Sequence, residues 1–285
     1  MRVTIPEPFA VACGSDAQRL AWLDRLPTVI SELARRWRLE VGAPFEGRDV
    51  SCSWVARVQR DGRAAVLKLG MPHMEGMHEL QGLRFWNGDP TVMLLEADSD
   101  DNAMLLEACD PGQPLRGLPE PEQDVVIAAI LHGLWRRPAP GHPFRPLSAQ
   151  TAYWIAEASR DRLRWPDAGL VREGLTLLEH LSSASPDDVL LATDLHAGNI
   201  LSATRQPWLV IDPKPFVGDR AYDATQHLLN CPGRLRADPR GTVRQFADRL
   251  AVEADRVRLW LMARLAAEPR GSWSDESLRL ARSMA

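Results

Sequence analysis

The sequence predicts an α+β fold in two parts: a sheet-rich segment over 1–108 and a mainly helical segment over 109–285. Three observations carry that expectation. Hydrophobic spacing changes from helical to alternating near residue 43 and back to helical beyond 115. Two hairpin signals lie within the alternating stretch, and a loop rich in proline and glycine, Asp110-Pro111-Gly112-Gln113-Pro114, closes it.

Taken in order, residues 16–39 place Leu20, Leu23, Leu26, Val29, Ile30, Leu33 and Trp37 at helical spacing, and Pro27 is expected to break that helix. "WVARVQ" (54–59) alternates, Asp61-Gly62 signals a tight turn, and "RAAVLKLG" (63–70) is the return strand. A helix over 74–86 follows. "TVMLLEA" (91–97) and "AMLLEA" (103–108) then flank a polar turn as a second hairpin. Past the loop, helices are expected at 120–136, 148–165 and 168–183. Short strands occupy 189–216, and helices run from Asp219 onward.

At 285 residues, with 45% apolar and 25% charged residues, the composition is that of an ordinary globular protein. The net charge of −4 argues against nucleic-acid or membrane partners. No signal peptide or spanning segment is read, so a cytoplasmic location is expected. The four cysteines are scattered without CxxC spacing and read as free thiols. One bias is informative. Of 34 basic residues only two are lysine, Lys68 and Lys214. Where lysine persists against that bias, a compact ammonium is required rather than a planar fork.

Lys68 sits in the middle of a strand and is costly to bury without a partner. At ~100° per residue along the next helix, Glu79 falls between Leu83 and Trp86 on the apolar face, and Glu75 falls on its edge. Glu79 is therefore the expected partner. In "ATDLHAGNIL" (192–201), polar residues stand on a loop between two buried runs. Asp194 is suited to accept a proton from a substrate hydroxyl, and Asn199 to bind a metal through its amide oxygen. The strand "WLVIDP" (208–213) ends in Asp212, which lies on the same hairpin as Asn199 and so could share a Mg2+ with it. His132 reads as a packed core histidine, His196 as a backbone brace, and the arginines of "RVRLWLMARL" (256–265) as a solvated face.

Strand lysine, helix glutamate, Asp-x4-Asn and strand-terminal aspartate, in that order, resemble the protein-kinase-like fold. More closely, "ATDLHAGNIL" with "PWLVIDPKPFVGDRAYDA" resembles the aminoglycoside phosphotransferase family. "IDPKPFVGD", "RAAVLKLGMP", "GLRFWNGD" and "MLLEACDPG" point to its streptomycin 6-phosphotransferase and hydroxyurea-resistance branch. The resemblance runs from roughly residue 18 to 265. It implies a bilobal kinase-like fold and an ATP- and Mg2+-dependent transfer of phosphate to a small-molecule hydroxyl. A streptomycin-type aminoglycoside is the expected acceptor, hydroxyurea the alternative, and a nucleotide-binding pseudokinase the alternative of another class. A monomer or weak dimer is expected.

Residue by residue, the resemblance implies that Lys68, held by Glu79, contacts the α/β-phosphates. Glu107, Ala108 and Cys109 form the adenine hinge. Asp194 is the catalytic base or orients the acceptor, Asn199 and Asp212 hold Mg2+, and Asp223 braces the catalytic loop from beneath. Lys214 is a local charge partner, and Asp219 an N-cap. Three departures from the family pattern stand out. The segment 46–53 has one glycine, leaving phosphate cover to backbone N–H groups helped by Ser51 or Ser53. Ala192 stands where many relatives carry histidine. Asp212-Pro213-Lys214 replaces Asp-Phe-Gly.

Overall fold

The computed structural model describes residues 4–14, 16–45, 52–268 and 273–285. Ser51 and most of the segment expected to cover phosphates lie outside the described residues. The chain divides into two compact units, one of residues 1–112 with 202–209, the other of 113–201 with 210–285.

The first unit contains helices α1 (Glu7–Cys13) and α2 (Ala17–Arg36), strands β1 (Leu39–Pro44), β2 (Ser53–Arg60) and β3 (Arg63–Gly70), helix α3 (Glu79–Trp86), and strands β4 (Leu94–Asp98) and β5 (Ala103–Glu107). The strands make one sheet in the order β1-β2-β3-β5-β4, with every neighbouring pair antiparallel. The β2–β3 turn is two residues long, Asp61 and Gly62. Both have positive φ, 50° and 74°, the conformation whose twist matches that of the strands. Trp54, Ala56 and Val58 of β2 and Ala65, Leu67 and Leu69 of β3 face one side. There they form a core with Leu26, Val29, Ile30 and Leu33 of α2. Lys68, one residue out of phase, belongs to the opposite face.

Two expectations are corrected here. Helix α2 runs unbroken through Pro27. The ring removes only the N–H that would reach Leu23, while Leu26, Val29, Ile30 and Leu33 bury the flanking turns in one core and hold the helix in register. The residues that open the predicted 74–86 helix instead form a 3-10 turn, Glu75–His78, ahead of α3. That change of winding buries Glu75 as well as Glu79.

The remaining elements are β6 (Pro111–Pro114), α4 (Glu120–Leu134), α5 (Leu147–Arg160), α6 (Ala168–Leu181), β7 (Val189–Leu191), β8 (Ile200–Ala203), β9 (Trp208–Val210), β10 (Phe216–Gly218), α7 (Arg220–Leu229), α8 (Pro232–Ala237), α9 (Pro239–Leu250), α10 (Ala254–Ala267) and α11 (Asp275–Met284). In the second unit α10 is the central helix, packed by α6, α7, α9 and α11. Every residue from Trp260 to Ala267 is buried, so the helix is covered all round. Gly174 of α6 makes the close crossing possible. A Cβ there would stand 2.8 Å from Ala266 Cβ and 3.0 Å from Ala267 Cβ. The expectation of solvated arginines on this helix fails at Arg264, which is 5% exposed. His132 is exposed rather than packed in the core, its ring edge-on to Trp135 and its Nε2 3.3 Å from Arg249 O.

Strand β7 pairs antiparallel with β10, Leu191 opposite Phe216. The loop 192–199 leaves the end of β7, and residues 212–215 lead into β10. This pairing brings the bases of the two segments together.

Candidate active site

In the first unit, Lys68 Nζ lies 2.5 Å from Glu79 Oε1, and both residues are 5% exposed. Strand β3 fixes the lysine between Val55 of β2 and Met104 of β5, and the first turn of α3 supplies the carboxylate. A buried ion pair of this kind contributes little net stability, because desolvating two ions cancels much of their attraction. Its chemical value is an ammonium held at one place for an anion.

At the end of β5, the Glu107 N–H donates to Met93 O (2.9 Å), and its carboxylate accepts from Met93 N (3.0 Å) and from Arg205 (2.9–3.2 Å). Arg205 also donates to Gly88 O and Thr91 O, fastening 202–209 within this unit. Burial would raise the Glu107 carboxyl, but Arg205 and the Met93 N–H hold it below the usual carboxylate range. With Glu107 so engaged, the hinge expectation rests on Ala108 and Cys109. Burial first, then the Glu107 charge, pushes the Cys109 thiol up to about 11, so it is no nucleophile at neutral pH. Ser53 opens β2 opposite Gly70, and its hydroxyl donates to Cys52 O.

In the second unit, Asp223 organises the catalytic-loop candidate. Its carboxylate, fully buried on α7, accepts from Ala192 N (3.1 Å), Thr193 N (2.8 Å) and Trp135 Nε1 (2.9 Å). Burial pushes its carboxyl up to about 6 against the pull of these three bonds. Ala192 O in turn accepts from Asp194 N (2.7 Å) and Lys214 N (2.9 Å), and Thr193 Oγ1 donates to Lys214 O (2.6 Å). These bonds steady the loop at a position where no histidine is present. His196 braces locally, its Nδ1 accepting from Gly198 N at 3.0 Å.

Asp194 and Asn199 are joined through the main chain: Asn199 Nδ2 donates to the Asp194 backbone O at 3.0 Å, and Asn199 O accepts from Ile211 N at 2.9 Å, next to Asp212. Thr193 and Asp212 both have positive φ, 47° and 51°. Such strain in non-glycine residues persists only where the surroundings over-determine it. Lys214 Nζ stands 3.1 Å from Asp212 Oδ1 and 3.5 Å from Asp194 Oδ2. An ammonium bridging two carboxylates marks a place that favours a cation. The Asp212 carboxylate and the Asn199 amide oxygen are hard donors of the type Mg2+ takes, with water and phosphate completing its shell. Among the described residues, no cluster of three or more His, Cys, Asp or Glu side chains could hold a metal. Asn199 and Asp212 are thus too few to cage a metal alone, and fit an ion whose remaining positions are filled by water and phosphate.

Two residues escaped the sequence reading. Gln226 Nε2 donates to Asp194 Oδ1 at 2.7 Å, and Gln226 Oε1 accepts from Arg264 Nη2 at 2.8 Å. The available signal was Arg264 itself, a lone cation inside the apolar run Trp260–Ala267. Asp219, as expected, caps α7 by accepting from Ala221 N.

The antiparallel sheet of the first unit and the helical second unit, with their lysine–glutamate pair and Asp-x4-Asn loop, are those of a protein-kinase-like phosphotransferase. Solved structures agree on the fold. The choline kinase LicA from Streptococcus pneumoniae superposes with a TM-score of 0.59 at 13% identity, covering 91% of this chain and 97% of that one. A thermostable mutant of aminoglycoside phosphotransferase APH(4)-Ia superposes at 0.56 and 16% identity, covering 90% and 95%. Residues 36–276 match the family model described as aminoglycoside/hydroxyurea antibiotic resistance kinase, and the chain belongs to that family. Among its relatives, a streptomycin 6-kinase of Streptomyces griseus is 35% identical over 92% of this chain and 87% of its own length. A hydroxyurea phosphotransferase of Kitasatospora aureofaciens is 33% identical over 86% and 72%. The protein is thus a phosphotransferase of the kinase type, acting on an alcohol group. No helix among the described residues is long and apolar enough to cross a membrane.

Proposed function

We propose that the protein transfers the γ-phosphoryl group of ATP to a hydroxyl of a streptomycin-type aminoglycoside and so inactivates it. The observation that carries this reading is the loop in which Asp194 and Asn199 are fixed beside Asp212, in a chain 35% identical to a streptomycin 6-kinase over most of its length. Lys68, held by Glu79, binds the α/β-phosphates, and Ala108 and Cys109 present backbone groups to the adenine. Asp194 holds the acceptor O–H in line and takes its proton as the new P–O bond forms and the bond to the ADP oxygen breaks. Asn199 and Asp212 would hold Mg2+, which when bound would offset charge on the phosphates. Lys214 supplies a second cation at the same place. The added phosphate puts negative charge on the drug, weakening its recognition by an anionic target.

Hydroxyurea is the second reading, favoured by the 33% identity to a hydroxyurea phosphotransferase. Incubation of the protein with MgATP and each compound, read by ADP release and by mass spectrometry of the acceptor, decides between them. Phosphorylated streptomycin supports the first reading and phosphorylated hydroxyurea alone the second. ADP release unchanged by both compounds overturns both.

A further inference from the structure

We propose that Gln226 is a positioning residue for the transfer step, its side-chain amide fixing the Asp194 carboxylate in an orientation set by the buried guanidinium of Arg264. The inference rests on the reading of Asp194 as the group that holds and deprotonates the acceptor. Its basis is a chain of hydrogen bonds running from α10 through α7 to the loop. Arg264 donates through Nε to Glu268 Oε2 (2.9 Å), through Nη1 to Thr225 Oγ1 (2.7 Å) and through Nη2 to Gln226 Oε1 (2.8 Å). Its guanidinium also lies over the rings of Tyr222 and Trp154, 5.0 and 5.7 Å from their centroids. Glu268 and the rings offset part of the cost of burying this cation. What they leave unexplained is why a cation is kept within the buried last turns of α10.

Gln226 supplies the answer. An amide has two faces, and a lone glutamine beside a carboxylate can present either. Here Arg264 claims the oxygen, so the NH2 group must face Asp194. Turning the amide over would set N–H against N–H at Arg264 and oxygen against oxygen at Asp194. The carboxylate is thereby held through Oδ1, at 2.7 Å, while Oδ2 faces Lys214 at 3.5 Å. A neutral spacer matters chemically. An arginine bonded directly to Asp194 would orient it equally well, but would stabilise the anion and weaken it as a proton acceptor. The amide transmits direction and keeps the cation one residue away.

The test is steady-state kinetics of the full chain with MgATP and streptomycin or hydroxyurea, comparing wild type, Gln226→Leu, Gln226→Glu and Asp194→Ala. Gln226→Leu should lower kcat about 10- to 100-fold with KM for ATP little changed, since displacement of a reacting group by about 1 Å costs that order of rate. Gln226→Glu keeps the shape and strengthens the Arg264 contact, but loses the donor and sets an anion against Asp194. It should lose at least as much kcat, whereas a merely structural role would leave it near wild type. Wild-type kcat in Gln226→Glu, or a loss confined to KM in Gln226→Leu, overturns the positioning role. If Asp194→Ala is inactive while both Gln226 variants are fully active, only this inference falls. If Asp194→Ala matches wild type, the underlying reading of Asp194 falls with it. Crystal structures need no acceptor. A rotated Asp194 carboxylate in Gln226→Leu supports the inference, and an unmoved one contradicts it.

Discussion

Replacing Lys68 by methionine removes one member of a buried ion pair and leaves the other in place. The pair is separated by 2.5 Å, with both side chains 6% exposed. At an effective dielectric of about 20, that separation is worth roughly 7 kcal/mol of gross attraction. Desolvating each ion costs several kcal/mol, so the net contribution to folding is near zero. Removing the ammonium alone forfeits the attraction but keeps the cost of the buried Glu79 carboxylate. Lys68→Met should therefore destabilise the protein by about 3–5 kcal/mol. The double variant Lys68→Met/Glu79→Met removes both ions and should recover most of that loss. Urea denaturation of wild type, Lys68→Met, Glu79→Met and the double variant gives the stabilities, and calorimetric titration with MgATP gives nucleotide affinity. Both Lys68 variants should bind ATP at least tenfold more weakly, because the recovered stability does not restore the ammonium. A double variant no more stable than Lys68→Met, or ATP affinity unchanged in either, would refute the reasoning.

Two further perturbations probe the scaffold of the loop. Asp223 is raised to about 6 in the folded chain from its ordinary 3.8, chiefly by burial, so the folded state holds the extra proton between those values. Its contribution to stability is fully present below about 4 and is lost as pH rises through about 6, a difference of about 3 kcal/mol. Asp223→Asn should flatten the stability profile in that window. It should also speed hydrogen exchange at the Ala192 or Thr193 amide, since these bond different carboxylate oxygens and a carboxamide puts an NH2 group in place of one of them; an unchanged slope together with unchanged exchange would contradict the assignment. Gly174→Ala forces a methyl to within 2.8 Å of Ala266 Cβ at the α6–α10 crossing and should cost about 1–3 kcal/mol in urea denaturation, with a stability equal to wild type as the contrary result.

What the sequence revealed and what it hid follow from how local each feature is. Lys68 and Glu79 were legible because a near-absence of lysine singled out one, and helical phase selected the other within one turn of the chain. Asp194 and Asn199 were legible because five residues and one loop contain them. Strand β1 was not, since "LEVGAP" carries a glycine and a proline and its outward residues do not alternate cleanly; its place is set by pairing with β2. Pro27 is a helix breaker by local rules, yet burial on both sides of it outweighs one lost hydrogen bond. Periodicity gave Arg264 to solvent because it assumes one exposed face, and α10 has none along its second half. Gln226 carried no signal of its own. It matters only because folding sets it between an aspartate 32 residues before it and an arginine 38 residues after it. Asp223 reaches back to Ala192 and Thr193 over a comparable distance, and there the resemblance supplied what local pattern could not.

The central claim is that this chain phosphorylates a hydroxyl of a small antibiotic, with Asp194 holding the acceptor. The most direct measurement is acceptor-dependent ADP release from MgATP with streptomycin and with hydroxyurea, comparing wild type with Asp194→Ala and checking by titration that the variant still binds ATP. The account predicts turnover by wild type with one of the two compounds and a fall in kcat of about 100-fold or more in the variant, with ATP affinity retained. Equal turnover by wild type and Asp194→Ala would contradict it.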